Sequence, residues 1–212
     1  MEYNVIIAGV GGQGVVTLGS VIAESAMDAR LNVVMSEIHG LSQRGGSVSV
    51  EVRIGDVRSP ITPAGAADLI LGLESIEAFR VLDKANSNTL VLVNSRHMTP
   101  VYLSIRGKEY PDIRELARSA GNTARIHFMD AENLAREAGS ERAAGTALLG
   151  AALSMTSIPF DAHNVHSALE KRFSGRLYDI NFDAFERGEK AGIEVLEGRG
   201  DYIQAGKAAI GR

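Results

Sequence analysis

The chain reads as a three-layer α/β/α, Rossmann-like domain with a mixed, mostly parallel sheet and a helical C-terminal part. Three observations predict this. A β-branched run ends on a glycine-rich turn and gives way to helical periodicity. A strictly alternating segment follows the next apolar run, and beyond Glu141 only helical patterning remains.

Residues 3–8 form the β-branched run, the pattern of a buried first strand. Val15, Leu18, Val21, Ile22 and Ala26 recur at helical spacing, which predicts an amphipathic helix over 15–29. Residues 33–36 are the next strand, completing a βαβ unit with a parallel pairing. Val48, Val50, Val52 and Ile54 then alternate with Ser47, Ser49, Glu51 and Arg53, the pattern of an antiparallel or edge strand with one wet face. Gly55-Asp56 makes a turn, and Pro60 and Pro63 keep the following segment extended and irregular.

Further strands are expected at 68–71, 89–93 and 125–129, with helices around 76–84, 113–119 and 132–138. The closing helices fall at 142–155, at 163–173 after an Asp161 cap, and at 183–196. Gly188 and Gly192 weaken the last of these and mark close packing. Residues 1–197 are read as a single domain and 198–212, polar and glycine-containing, as a loosely held tail.

Composition narrows the function classes. An apolar content of 45% and a charged content of 23% are those of an ordinary soluble globule. With 22 basic and 26 acidic residues the formal charge is −4 and no basic run stands out, so no nucleic-acid partner is expected. Met1-Glu2-Tyr3-Asn4 lacks the basic segment of a signal peptide. No apolar stretch is long enough to span a bilayer. A cytoplasmic chain with no membrane contact is expected. The absence of cysteine excludes disulfides, a thiolate nucleophile, thiolate-held zinc and a cluster held by four Cys of this chain.

Two stretches carry chemistry. Gly9, Gly11 and Gly14 satisfy the G-x-G-x-x-G spacing between a strand and a helix, with Gly12 and Gln13 enriching the turn. Such a turn offers backbone N–H groups and a helix dipole to a phosphate or carboxylate. Alternatively, the glycines only let the helix pack tightly on the strand. Glu37 lies 23 residues past Gly14, near where a nicotinamide dinucleotide would want an acid. The second stretch, residues 37–46, gathers Glu37, His39, Ser42, Gln43 and Arg44 before Gly45 and Gly46. Arg44 offers a planar fork of donors to a phosphate or carboxylate, and the two glycines permit close backbone approach. Its alternatives are a ligand or shared active site, and a pure subunit contact. No catalytic residue and no metal ligand is assigned.

Gly-x-Gly-Gly-Gln-Gly, one helix, then Ser-Glu-x-His-Gly-x-Ser-Gln-Arg-Gly-Gly-Ser resembles the gamma-type domain of the 2-oxoacid:ferredoxin oxidoreductases, most closely that of the indolepyruvate enzymes' small (beta) subunit. Weaker echoes at Ser59-Pro60, Ala67-Asp68, residues 148–151, Asn181, Ala184-Phe185 and Gly188 extend the resemblance over about 4–196. The resemblance implies oxidative decarboxylation of a 2-oxoacid to acyl-CoA, with electrons passed to ferredoxin. Thiamine diphosphate and 4Fe–4S clusters would reside in a large partner subunit, since this chain has no Cys and no thiamine-diphosphate signature. It associates the gamma-type domain with coenzyme A and with closing over the thiamine site, and makes Gly9, Gly11–Gly14 and the 37–46 loop the candidate cofactor-binding residues, for coenzyme A or another phosphate ligand. The subunit would be inactive alone and reach ferredoxin through its partner.

Two other readings compete: a stand-alone NAD(P)- or flavin-binding oxidoreductase using the glycine turn, and a scaffold that has lost its ligand. His163 and His166, three apart on a helix, read as a solvated face, and His97 and His127 as structural residues. Asp130 reads as a helix cap, and Ser42 lacks a nucleophile-elbow pattern.

Overall fold

The computed structural model describes residues 1–40, 46–96, 110–121, 123–199 and 203–205. Strand β1 (Glu2–Val10) leads through Gly14 into helix α1 (Val15–Asp28), followed by β2 (Val33–His39) and β3 (Ser47–Gly55). Strand β4 (Leu69–Gly72), helix α2 (Ser75–Arg80), a 3₁₀ turn at Leu82–Lys84 and β5 (Leu90–Asn94) come next. Helix α3 (Ile113–Ala120), β6 (Arg125–Met129) and α4 (Ala131–Glu137) precede a 3₁₀ turn at Glu141–Ala143. Three helices close the domain: α5 (Ala144–Met155), α6 (Ala162–Arg172) and α7 (Arg176–Leu196). Finally, β7 (Ile203–Ala205) pairs antiparallel with β6, so the segment beyond 198, read without any element, supplies an edge strand.

The strand order is β2-β3-β1-β4-β5-β6-β7. Pairings β1–β4, β4–β5 and β5–β6 are parallel, whereas β3 runs antiparallel to both β1 and β2. Five of the seven described strands therefore share one direction, and the three-layer, mixed, mostly parallel fold holds. The expected parallel pairing of the first two strands does not. Strand β3 inserts between them, and its ladder runs the full length of β1, from Glu2↔Gly55 to Val10↔Ser47. A strand returning directly from β2 can pair antiparallel with it without the long crossover that a parallel neighbour needs.

The face of β3 expected to be wet is instead buried. Glu51 and Arg53 are 3% and 6% exposed. Arg53 Nε donates to Asn4 Oδ1 at 2.8 Å and Nη1 to the Ser59 carbonyl at 2.9 Å, while Glu51 accepts from the Thr62 amide. The proline-bearing segment after β3 folds over this face and covers its charges with hydrogen bonds, as burial of ions requires. Alternation correctly marked an antiparallel strand, but polar did not mean solvated.

Side chains alternate across the sheet into two cores. Val5, Ile7, Leu90 and Leu92 face α1, α5, α6 and α7, whereas Ile6, Val91 and Val93 face α2 and α3. On the first side α5 and α7 lie backbone to backbone. A Cβ at Gly188 would overlap the Ala147 carbonyl oxygen, and one at Gly150 would overlap that of Phe185. The close packing expected at Gly188 and Gly192 is thus present, with Gly150 as its counterpart. Asp161 caps α6 in a reciprocal capping box, and Asp130 caps α4 by accepting from the Asn133 amide.

Candidate functional site at the glycine turn

The β1–α1 turn lies at the carboxyl end of β1, whose neighbours in the sheet are antiparallel β3 on one side and parallel β4 on the other. Such switch points open a crevice in α/β sheets. Each glycine of the turn does something different. A Cβ on Gly9 would meet Gln13 Oε1 at 2.8 Å and Val15 Cγ2 at 2.9 Å, so Gly9 serves packing. Gly12 and Gly14 have φ of 105° and 82° and open space where a Cβ would be, so they let the backbone face outward. Gln13 turns inward: its Oε1 accepts from the Val10 amide at 2.9 Å and its Nε2 donates to the Leu73 carbonyl at 3.2 Å. That side chain braces the turn.

Gly14 caps α1 with no side-chain hydrogen bond, and the first turn carries no acidic residue. The leading N–H groups of α1 and the positive end of its dipole therefore face the crevice without a capping side chain, which suits an anion.

The two sequence stretches meet here. The Gly11 amide donates to the Gly46 carbonyl at 2.9 Å, and Gly40 N–H donates to the Ser47 carbonyl at 2.8 Å. Residues 40 and 46, the two ends of the polar loop, are thereby pinned beside the glycine turn. Ser42, Gln43, Arg44 and Gly45 lie outside the described residues. A cleft of about 350 Å³ between the turn and the ends of β2 and β3 is lined by Gly11, Gly12, Gly14, Thr17, His39 and Val48. At its lip, His39 Nε2 lies 3.0 Å from Glu37 Oε2, with both side chains partly exposed.

Glu37 does not occupy the position of a dinucleotide-binding acid. With β3 between β2 and β1, it stands two strand spacings from β1, roughly 9–10 Å, and its carboxylate engages His39.

Two further clefts open on Gly12, and sequence reasoning missed residues in both. One, of about 210 Å³, is lined by Gly12, Gln13, Leu73, Asn94, Glu132 and Arg142, among others. The other runs between α1, α5 and α7 and includes Thr17, Arg142 and Thr146. The available signal was a polar residue closing an apolar parallel strand, as Asn94 closes β5. Nearby, Glu74 is fully buried, accepts from the Glu77 amide at 3.0 Å and receives the Tyr110 hydroxyl. Burial raises its carboxyl above the usual range.

His163 is exposed, but His166 packs against Phe182 with ring centroids 4.5 Å apart and the rings tilted by 46°, so the pair is not a uniformly solvated face. Among the described residues, no group of three His, Asp or Glu could hold a metal. His97 lies outside them.

Sheet order, glycine turn and uncapped helix together define a three-layer α/β domain with an anion-accepting turn at the end of its first strand. Residues 4–191 match the pyruvate ferredoxin/flavodoxin oxidoreductase family, and the chain belongs to it. It is 39% identical over 194 residues to indolepyruvate oxidoreductase subunit IorB of Archaeoglobus fulgidus, covering 91% of this chain and 96% of that one. In fold it matches pyruvate oxidoreductase subunit PORC of Thermotoga maritima, with a TM-score of 0.67 and 20% identity over 89% of this chain and 96% of that one. A 2-oxoglutarate:ferredoxin oxidoreductase from Magnetococcus marinus, solved with 2-oxoglutarate, coenzyme A and succinyl-CoA bound, matches with a TM-score of 0.68 and 17% identity. That match covers 89% of this chain and 30% of the longer one. Family membership and strand order both favour the oxidoreductase-subunit reading over a free-standing dinucleotide enzyme.

Proposed function

We propose that this chain is the small subunit of an indolepyruvate-type 2-oxoacid:ferredoxin oxidoreductase and holds coenzyme A for the acyl-transfer half of the reaction. One observation carries the coenzyme A assignment. The uncapped start of α1, with Gly12 and Gly14 facing outward, offers an anion site directly beside the pinned ends of the 37–46 loop. Its polyphosphate would lie along Gly11–Gly14 and Thr17, and Arg44 would add a bidentate donor from the loop. Glu37 would orient His39 at the lip of the same cleft.

The likeness to IorB supports the small-subunit reading, and the coenzyme A in the Magnetococcus enzyme supports the ligand. Thiamine diphosphate and 4Fe–4S clusters, which supply decarboxylation and electron transfer, are assigned to a larger partner. Clusters cannot be held by Cys in a chain that has none. Ferredoxin would dock on that partner. Among the described residues no helix is long and apolar enough to cross a membrane, and a cytoplasmic site of action is part of the proposal.

Anaerobic purification from the native source, followed by viologen reduction with indolepyruvate, tests this. Co-elution with a larger iron-containing chain and coenzyme A-dependent reduction are expected. A colourless chain that elutes alone without activity contradicts it.

A further inference from the structure

We infer that β2 is a dimerisation strand, pairing antiparallel with β2 of a second copy of this chain about a two-fold axis at Ser36. Among the described residues β2 stands at the edge of the sheet and has β3 as its one neighbour. The Gly40 amide donates to the Ser47 carbonyl and the Gly55 amide to the Asn32 carbonyl, at 2.8 Å each. In an antiparallel ladder such bonds recur at every second residue, so the even-numbered residues of β2 bond to β3. The N–H and C=O groups of Val33, Met35, Glu37 and His39 therefore point away from the sheet, and no described residue bonds to them. Edges of this kind are ordinarily guarded by Lys, Pro, a bulge or a covering element. The span Val33–His39 has no Lys and no Pro, and its register with β3 runs unbroken from Val33↔Ile54 to His39↔Val48.

What fills such an edge must itself be extended backbone, and β2 is its own complement. Pairing centred on Ser36 sets Val33 opposite the other copy's His39 and Met35 opposite its Glu37, so all the outward residues exchange hydrogen bonds. Any other register carries Val33 or His39 past the end of the strand. On the opposite face Val34 then lies directly across from the other copy's Ile38, a β-branched pair at the closer, non-hydrogen-bonded positions. That face is where the chain leaves apolar surface uncovered. Ile38 is 48% and Ile61 47% exposed, and Ser36 Oγ holds the Ile61 segment beside the strand by donating to the Pro60 carbonyl at 3.1 Å. The two Glu37 carboxylates meet only on the diagonal, and each keeps its own His39, 3.0 Å away. The junction needs no ligand and is independent of what the glycine turn binds.

The chain has no cysteine, so one introduced thiol reports one contact. In the full chain, Ser36→Cys should cross-link to its own copy under mild oxidation. Directly opposed, non-hydrogen-bonded residues lie about 4.5 Å apart at Cα, within disulfide reach. Ile38→Cys should not cross-link: with Ile38 opposite Val34, the two thiols stand four residues apart along the ladder, about 13 Å. Sedimentation velocity should show the parent as a dimer. Met35→Pro removes an outward N–H without touching the β3 ladder, and Ile38→Lys sets a charge on the edge. Each should raise the dimer dissociation constant about tenfold or more. Ile38 is exposed, so its Lys variant carries the test even where Met35→Pro melts early. A monomeric parent, a Ser36→Cys chain that stays uncross-linked, an Ile38→Cys chain that cross-links equally well, or a dimer indifferent to Ile38→Lys overturns the inference. So does Ser36→Cys in the anaerobic two-subunit complex joining the larger chain instead of its own copy, which would assign the edge to that partner.

Discussion

Gly12 and Gly14 hold positive φ with open space around them, whereas Gly9, three residues earlier, is closed in by Gln13, Val15 and Leu73. The spacing of the motif was legible in the sequence, but this division of labour was not. It depends on where Gln13 turns, and Gln13 is recruited by the Leu73 carbonyl sixty residues away. Arg53 and Glu51 teach the same lesson, because their burial is decided by the segment that follows β3 and not by the strand's own alternation. Glu74 gives a residue-scale prediction. Burial raises its carboxyl, so the folded chain keeps the proton to higher pH than the unfolded one. Folded-state stability should then rise as pH falls from neutral through the raised value toward the ordinary carboxylate range, about 4.3. Glu74→Gln removes the buried charge while keeping an oxygen for Tyr110. Its melting temperature is expected to exceed the parent's at pH 8, with the gap closing on acidification; a gap independent of pH contradicts this cause.

Among the elements, α5 and α7 make the most extensive helix contact, and Gly150, Gly188 and Gly192 permit it. A methyl group at Gly188 meets backbone rather than a movable side chain, so the helices must separate. Gly188→Ala should cost about 1–3 kcal/mol or more, read as a lower urea midpoint at unchanged slope. An unaltered midpoint contradicts the packing described. Helix glycines of this kind are legible because they break propensity for no local reason. Strand neighbours are less so. The period-two pattern of β3 reports an antiparallel strand without saying which strands flank it, so the parallel pairing expected for β1 and β2 failed while their shared direction held.

For the whole molecule, the strand order does two things for function. It places β3 where a dinucleotide fold would have β2, which moves Glu37 away from the turn. It also anchors Gly46, where the described chain resumes after the polar stretch, against Gly11. The fold class and the pairing of these two stretches in one family were legible in the sequence. Asn94, Thr17 and Arg142 were not, because they come from three separate elements that converge only when the sheet is assembled. Thr17 lines the clefts beside the glycine turn, within the anion site proposed above, and the proposed function assigns the pocket for the oxoacid side chain to the partner. The most direct test is therefore the steady-state KM for coenzyme A of the anaerobic two-subunit complex carrying Thr17→Glu. A rise of about tenfold or more, with the KM for indolepyruvate unchanged, is the result expected; an unaltered KM for coenzyme A would contradict the placement of that ligand at the glycine turn.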